Sequence, residues 1–504
     1  MHSLRRRLAK RHSELAGIPF WSAVCFPFIE FRESSPEWTE WQVIDSRALR
    51  ERPIARLLEG VLDHARSRLV ERRAAWYQPE RGEPTPEQCE ALVHILRPDF
   101  EFFESPKSRH LRLEEEVRHY TEEQFEALDA IDLNPRIVFD GPAGTGKTLL
   151  AIEAARRAVS RGRRVLLVCF NRPLGRWLQE EVAGLGRGVT ARTLHEHLRV
   201  LAGIQPTREQ RCRQAFWQEE LPAMALDALL AREGRREIYD EIVLDEAQDV
   251  LRRSYLEVLD LGLNGGLAGG HWRFFGDFRW QRIYDPDALS VEEFLEPPAE
   301  ALAAGATPVS AARCALLINC RNTPRVAALA VAAGRVTPGY KRVRRPDDNV
   351  EPEIRWYEDG EQQLTLLRAV LTQLREDGYQ APSIAVLSPH GNEHCAAAQL
   401  TEQPWRDRLT PLVREPGEEE EEEVGDWLAA CIPSDLDAVD LHSGKTRYSS
   451  IYRFKGLEAP AVVITDVEAL GTPSERSLFY VGCTRALERL VILADARVRG
   501  LLEA

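Results

Sequence analysis

Gly141-Pro-Ala-Gly-Thr-Gly-Lys-Thr148 lies between a short apolar stretch, Arg136-Ile-Val-Phe-Asp140, and a run of helical character from Leu149 to Val159. A strand, a glycine-rich turn and a helix in that order form a phosphate-binding loop. Gly141, Gly144 and Gly146 let backbone N–H groups, those of Ala143 and Thr145 among them, converge on phosphate oxygens, and the helix N-terminus adds a favourable dipole. Lys147 would reach the β- and γ-phosphates, and the Thr148 hydroxyl would ligate Mg²⁺. Further on, Glu241-Ile-Val-Leu-Asp-Glu-Ala-Gln-Asp249 reads as a buried strand ending in carboxylates. Asp245 suits Mg²⁺ through water, and Glu246 suits polarising an attacking water. Two such motifs, each at a strand end, predict ATP binding and hydrolysis with Mg²⁺.

The 504 residues are enough for two to four domains. No apolar run reaches the ~18–20 residues of a membrane span. The basic start Arg5-Arg-Arg7 and the apolar patch from Ile18 to Ile29 resemble a secretion signal only superficially. Pro19, Pro27, Glu30 and Arg32 interrupt or follow the patch, so a strand pair and a cytoplasmic location are expected. Nine scattered cysteines without a C-x-x-C pair argue against a zinc site or disulfide framework. The net charge of −14 lacks the basic footprint of many nucleic-acid-binding domains, although the acidic tract Glu418–Glu423 supplies part of it. Six lysines stand against sixty arginines, so a lysine inside a motif marks a need for a compact point charge. Lys147 and Lys455 are two of the six.

Strand and helix patterns alternate from Thr121 to about Asp277, with strands at Ile137–Asp140, Val165–Cys169, Ile242–Asp245 and Trp272–Phe275. A second alternation begins at Ala315, with strands near Leu316–Asn319, Ser383–Leu387, Ala461–Thr465 and Leu490–Leu493. These are patterns of parallel βαβ units. The expected fold is α/β: two tandem parallel-sheet domains at 119–305 and 306–504, which the resemblance set out next makes RecA-like P-loop NTPase domains, after a smaller N-terminal α+β module at 1–118, with nucleotide in the cleft between the two.

The order of motifs resembles superfamily 1 helicases of the UvrD/Rep type over roughly residues 120 to 490. In Tyr120-Thr-Glu-Glu-Gln-Phe125, Gln124 occupies the place of that family's adenine-reading glutamine; Thr121 and Gln124 also fit a helix capping box. Phe170 and Asn171 resemble the first DNA-contacting motif, in which a ring stacks on a base, and a core phenylalanine is the alternative. Thr190-Ala-Arg-Thr-Leu-His195, with Thr193, looks like the next, a phosphate-contacting motif. Gly276-Asp-Phe-Arg-Trp-Gln281 resembles the motif coupling ATP to DNA, with one extra residue between Asp277 and Gln281. The resemblance makes Gln281 the γ-phosphate sensor and either Trp280 or Tyr284 the stacking ring.

Leu316-Leu-Ile-Asn-Cys-Arg-Asn322 is similar to the motif that begins the second domain, with Arg321 facing the γ-phosphate. Cys320 stands where the family often has an adenine-stacking tyrosine. In Ser449-Ser-Ile-Tyr-Arg-Phe-Lys-Gly-Leu-Glu458, the resemblance assigns Lys455 to DNA phosphate and Glu458 to the ribose. Tyr480-Val-Gly-Cys-Thr-Arg-Ala486 resembles the last motif, with Arg485 a second arginine finger. Phe20–Pro27, Trp41–Asp45 and Leu96–Pro98 resemble the segment between a NERD nuclease and its fused UvrD-like helicase. No Glu-x-Lys tripeptide occurs in the chain, so a nuclease-less remnant or docking module is expected there.

The resemblance implies an ATP-driven translocase or helicase on single-stranded or partly duplex DNA, moving 3′ to 5′, in repair, recombination or defence against foreign DNA. A separate nuclease or other protein is an expected partner, and a membrane is not. The stretches between His195 and Ile242 and between Arg321 and Ser450 are short for the large inserts of such helicases, so translocation is expected ahead of strong unwinding. An RNA-stimulated ATPase and a nucleotide-dependent regulator of a protein partner are the alternatives.

Overall fold

The computed structural model describes residues 5 to 502, apart from 6–7, 11, 28, 34–38, 97–114, 116–118, 120–124, 126–127, 130–132, 232–237, 282, 284–287, 301–306, 338, 393 and 414–438. The chain divides into two compact units, Met1–Phe103 and Glu104–Ala504.

In the first unit, β1 (Val24–Phe26) pairs in parallel with β2 (Val43–Asp45). The strand partner therefore lies beyond the Ile18–Ile29 patch. Asp45 ends β2 and caps the next helix, its carboxylate accepting from the Ala48 amide at 2.9 Å. The long helix Ile54–Glu71 buries Val61, Ala65 and Leu69, which recur at four-residue spacing on one face.

The second unit holds two six-stranded parallel sheets. The first contains β3 (Arg136–Asp140), β4 (Val165–Cys169), β5 (Val189–Thr193), β6 (Glu241–Asp245), β7 (His271–Gly276) and β8 (Ala312–Ala315), in the order β5-β4-β6-β7-β3-β8. β4 and β6 are buried along their whole length, as continuous Val, Ile and Leu runs in a sheet covered on both faces require. After it come β9 (Ile318–Asn319) and β10 (Arg342–Val343), a separate parallel pair. The second sheet contains β11 (Glu353–Tyr357), β12 (Ile384–Ser388), β13 (Leu409–Pro411), β14 (Thr446–Ser450), β15 (Ala459–Val467) and β16 (Ala486–Asp495), in the order β11-β16-β15-β12-β14-β13. Among the described residues, no helix is long and apolar enough to cross a membrane.

Tandem RecA-like domains are thus the architecture, with two departures from the sequence reading. The first sheet takes in β8, beyond residue 305, where the first domain was expected to end. The strand expected near Leu316–Asn319 shrinks to Ile318–Asn319 and joins neither large sheet, because its pairing partner is β10.

Register fixes the site. β7 lies between β3 and β6, with Asp140 opposite Gly276 and Asp245 opposite Phe275. Three neighbouring strands therefore end level, and the loops leaving them at 141, 246 and 277 open side by side. Ligands in such sheets gather at the carboxyl ends of the strands.

Candidate functional site

The phosphate loop turns where its glycines permit. Gly144 and Gly146 hold φ of +77° and +79°, and Gly146 caps the helix Lys147–Ser160. A Cβ on Gly141 would sit 2.4 Å from the Leu316 carbonyl oxygen, a backbone atom that cannot yield. Gly141→Ala is therefore expected to cost about 1–3 kcal/mol of stability, as forced overpacking does. An unchanged midpoint in thermal denaturation would show that the loop can shift.

Lys147 is buried, and its ammonium donates to the carbonyls of Gly141 at 2.7 Å and Pro142 at 3.0 Å. Burial lowers its pKa, opposed by the charges of Asp277, Glu246 and Asp245. Thr145 Oγ1 closes the turn by donating to the Pro142 carbonyl at 2.9 Å.

Asp245 and Glu246 are adjacent and buried, and share their charge unequally. Burial and the neighbouring carboxylate raise the Asp245 pKa, which the Thr148 hydroxyl moderates. Burial would raise Glu246 as well, but the Lys455 and Lys147 ammonium groups outweigh it and hold Glu246 below its ordinary value. Glu246 takes a left-handed backbone conformation with φ +54°, unusual for a side chain of its size and typical of strain kept at a working site. Its Oε2 accepts from Gln248 Nε2 at 2.6 Å. Asp245 Oδ2 is buried without a hydrogen-bond partner. An orphaned oxygen on a carboxyl group that the Thr148 hydroxyl also bonds, beside a phosphate loop, fits Mg²⁺, which takes one or two protein oxygens and completes its shell with phosphates and water.

Gln281 is also buried. Its Nε2 donates to Asp277 Oδ2 at 3.2 Å, while its Oε1 has no partner. The extra residue between Asp277 and Gln281 places the pair four positions apart, and the Trp280 amide closes the same turn onto Asp277 Oδ1 at 3.0 Å. Burial pushes the Asp277 pKa up to about 6.

Two arginines arrive from beyond the first sheet. Arg321 Nε donates to Glu458 Oε2 at 2.5 Å, so the γ-phosphate candidate and the ribose candidate hold each other. Arg485 is fully buried and bonds only neutral acceptors: Val481 O at 2.9 Å, Thr484 Oγ1 at 2.9 Å and Leu457 O at 3.4 Å. Burial and the charge of Arg321 bring its pKa down to about 10. Asn322 ties the two motifs together, donating to the carbonyls of Thr484 at 3.1 Å and Ala486 at 2.7 Å.

Contacts that the sequence reading missed close over the phosphate loop. The Ala143 amide donates to the Tyr480 hydroxyl at 2.8 Å, and its carbonyl accepts from the Tyr340 hydroxyl at 2.8 Å. The Cys320 amide donates to the Gly144 carbonyl at 2.8 Å. Cys320, where the resemblance would put an adenine-stacking tyrosine, is itself buried. Tyr480, Gln248 and Asp249 lie in motifs quoted above without a role assigned to them, whereas nothing in the sequence marked Tyr340.

Most nucleic-acid candidates are buried in this arrangement. Phe170 is enclosed in the core, its ring 5.0 Å edge-to-face from His195, and offers no face to a base. Asn171 is buried as the cap of the helix Arg172–Val182, and its Nδ2 donates to the Tyr452 carbonyl at 2.9 Å. Thr193 is buried and caps the helix Leu194–Ala202, accepting from the Glu196 amide at 3.2 Å. Lys455 is wholly enclosed, paired with Asp249 and bonded to the Gln281 carbonyl at 2.8 Å, so it cannot touch a DNA phosphate in this arrangement. Trp280 is half-buried against the core. Gln124 and Tyr284 lie outside the described residues, as does the acidic tract.

Comparison with known proteins gives partial matches to two families. Residues 446–493 match the UvrD-like helicase C-terminal domain, and residues 116–262 match the PhoH-like protein family. No curated protein matches the chain. Among solved structures, the C-terminal domain of a possible DNA helicase from Lactobacillus plantarum is 16% identical, with a TM-score of 0.25 over 36% of this chain and 91% of its own. The Arterivirus nonstructural protein 10 helicase is 11% identical, with a TM-score of 0.30 over 73% of this chain and 62% of its own. Both likenesses are loose.

Proposed function

We propose that this chain, a UvrD-like superfamily 1 helicase by its motifs and its tandem RecA-like domains, hydrolyses ATP to drive movement along single-stranded DNA. One observation carries the reading. Lys147 from the phosphate loop faces Asp245, Glu246 and Asp277, Gln281 bonds Asp277, and from the second half the charges of Arg321 and Arg485 act on Lys147 and Glu246. A site built by two domains changes whenever they open or close, and that makes hydrolysis into motion.

The backbone amides of 143–148 and Lys147 would bind the β- and γ-phosphates. Thr148 and Asp245 would hold Mg²⁺, which when bound neutralises phosphate charge. Glu246, kept ionised beside two ammonium groups, orients the attacking water, and Gln281 Oε1 is a free acceptor for the same water. Arg321 and Arg485 stabilise charge on the transferring phosphoryl group. Glu458 would exchange Arg321 for the ribose, and Gln124 would read the base.

Movement from 3′ to 5′, weak unwinding and service in DNA repair or defence extend the resemblance, and a cytoplasmic location accompanies them. ATP turnover that rises many-fold with single-stranded DNA, and less with RNA of the same sequence, is the expected result. Turnover indifferent to every nucleic acid would overturn the proposal.

With Phe170 enclosed, Trp280 is the stacking candidate among the described residues. Trp280→Ala should weaken single-strand binding by about 1–3 kcal/mol, the contribution of one stacked base. Fluorescence titration with short oligonucleotides measures it, and an unchanged Kd would move the role to Tyr284.

A further inference from the structure

Lys455 has no exposed surface, yet it carries one of only six lysine charges in the chain. It follows the short helix Ile451–Phe454 at the end of β14, in the second sheet's half of the molecule. Its ammonium lies within the first domain's machinery: paired with Asp249, 2.8 Å from the Gln281 carbonyl oxygen and 3.8 Å from Glu246 Oε2. Asp249 closes the turn that begins at Glu246, its amide donating to the Glu246 carbonyl at 3.0 Å. One ammonium thus ties the loop that carries the catalytic carboxylate to the loop that carries the sensor glutamine.

The segment is pinned from a second direction. Asn171 Nδ2 donates to the carbonyls of Tyr452 and Arg453 at 2.9 and 3.2 Å. Gly456, at φ +88°, lies against Leu174, where a Cβ would come within 2.8 Å of the leucine side chain. Lys455 has no exposed surface, and its ammonium faces Asp249, the Gln281 carbonyl and Glu246.

We infer that Lys455 is an interdomain positioning residue, which sets Glu246 and Gln281 for hydrolysis only when the second domain is closed on the first. The inference rests on the ATPase reading above. It replaces the DNA-phosphate role that the sequence resemblance gave this lysine.

The test compares the wild-type chain with Lys455→Met and with the charge-balanced Asp249→Asn/Lys455→Met. Wild-type hydrolysis is measured first; its absence would overturn the proposed function, and this inference with it. Lys455→Met should lower kcat by about 10²-fold, the scale of a catalytic group displaced by an ångström, with little change in KM. Its slope of log K for single-stranded DNA against log salt should stay unchanged. Loss of a real phosphate contact would reduce that slope by about 0.7.

The double variant separates positioning from packing. It leaves no unpaired buried charge at 249 or 455, so its Tm should return toward wild type while kcat stays low. Recovery of kcat together with Tm would make Lys455 a structural cation and overturn the inference. A reduced salt slope with kcat retained would overturn it equally. If Lys455→Met alone fails to fold, the double variant carries the same comparison.

Discussion

Lys147→Met should lower ATP turnover by about 10³-fold while leaving single-strand affinity in place. Methionine keeps the buried methylenes and removes only the ammonium, so the change isolates the charge. That charge does two things in this structure. It donates to the Gly141 and Pro142 carbonyls, fixing the turn that presents the loop amides. It also faces Asp245, Glu246 and Asp277, three buried carboxylates whose proton affinities it lowers. A preorganised donor aimed at developing phosphoryl charge in a water-poor site contributes about 10²–10³ in rate when removed singly. Loss of its hold on the carboxylates adds to that. Steady-state ATPase assays with saturating oligonucleotide read the first effect, and oligonucleotide titration reads the second. Turnover within tenfold of wild type would mean that Lys147 is only a loop staple and that the phosphates are gripped elsewhere.

The fold was legible where chemistry and periodicity coincide. β3, β4, β6 and β7 are short apolar runs that end in motif residues, and each was found within one residue of its expected place. β5, β8, β11, β13 and β14 were not anticipated. β5 and β8 are partly exposed and β14 carries Thr, Arg, Tyr and Ser, so none reads as a continuous buried run. The candidate nucleotide-site residues stand out for the same reason: they sit on loops whose local spacing suits phosphate geometry.

The directions of the candidate nucleic-acid side chains were not legible, because one segment can serve either a ligand or a joint between domains. Which of the two a side chain serves depends on the direction it takes from the strand end. Phe170 and Thr193 turned inward, and Asn171 became a bridge. Tyr340 shows the limit from the other side, since its partner at Ala143 lies 197 positions away and no local pattern connects them. The scarcity of lysine draws attention to Lys455, which in this structure is enclosed and paired with Asp249.

Arg485→Met should reduce kcat by about 10³–10⁵-fold, the range attributed to an arginine finger, without reducing stability in the absence of nucleotide. The second half of that expectation separates a catalytic arginine from a structural one. Arg485 is completely buried, and among the described residues no carboxylate lies within ion-pair distance of it; its partners are two carbonyls and a hydroxyl. Burial has already lowered its pKa to about 10, so the chain holds this cation at a cost. A buried charge without an opposite partner is expensive, and an apolar residue of similar volume in its place is often neutral or stabilising. An anion arriving at the phosphate loop would repay that cost, which makes the arginine favourable only with the triphosphate bound. The variant should therefore keep or raise the wild-type Tm without ligand and lose part of the rise in Tm that a non-hydrolysable ATP analogue gives the wild type. Thermal denaturation with and without the analogue, beside turnover under saturating ATP, measures both. A fall in ligand-free Tm with kcat retained would place Arg485 in the scaffold and leave Arg321 as the finger.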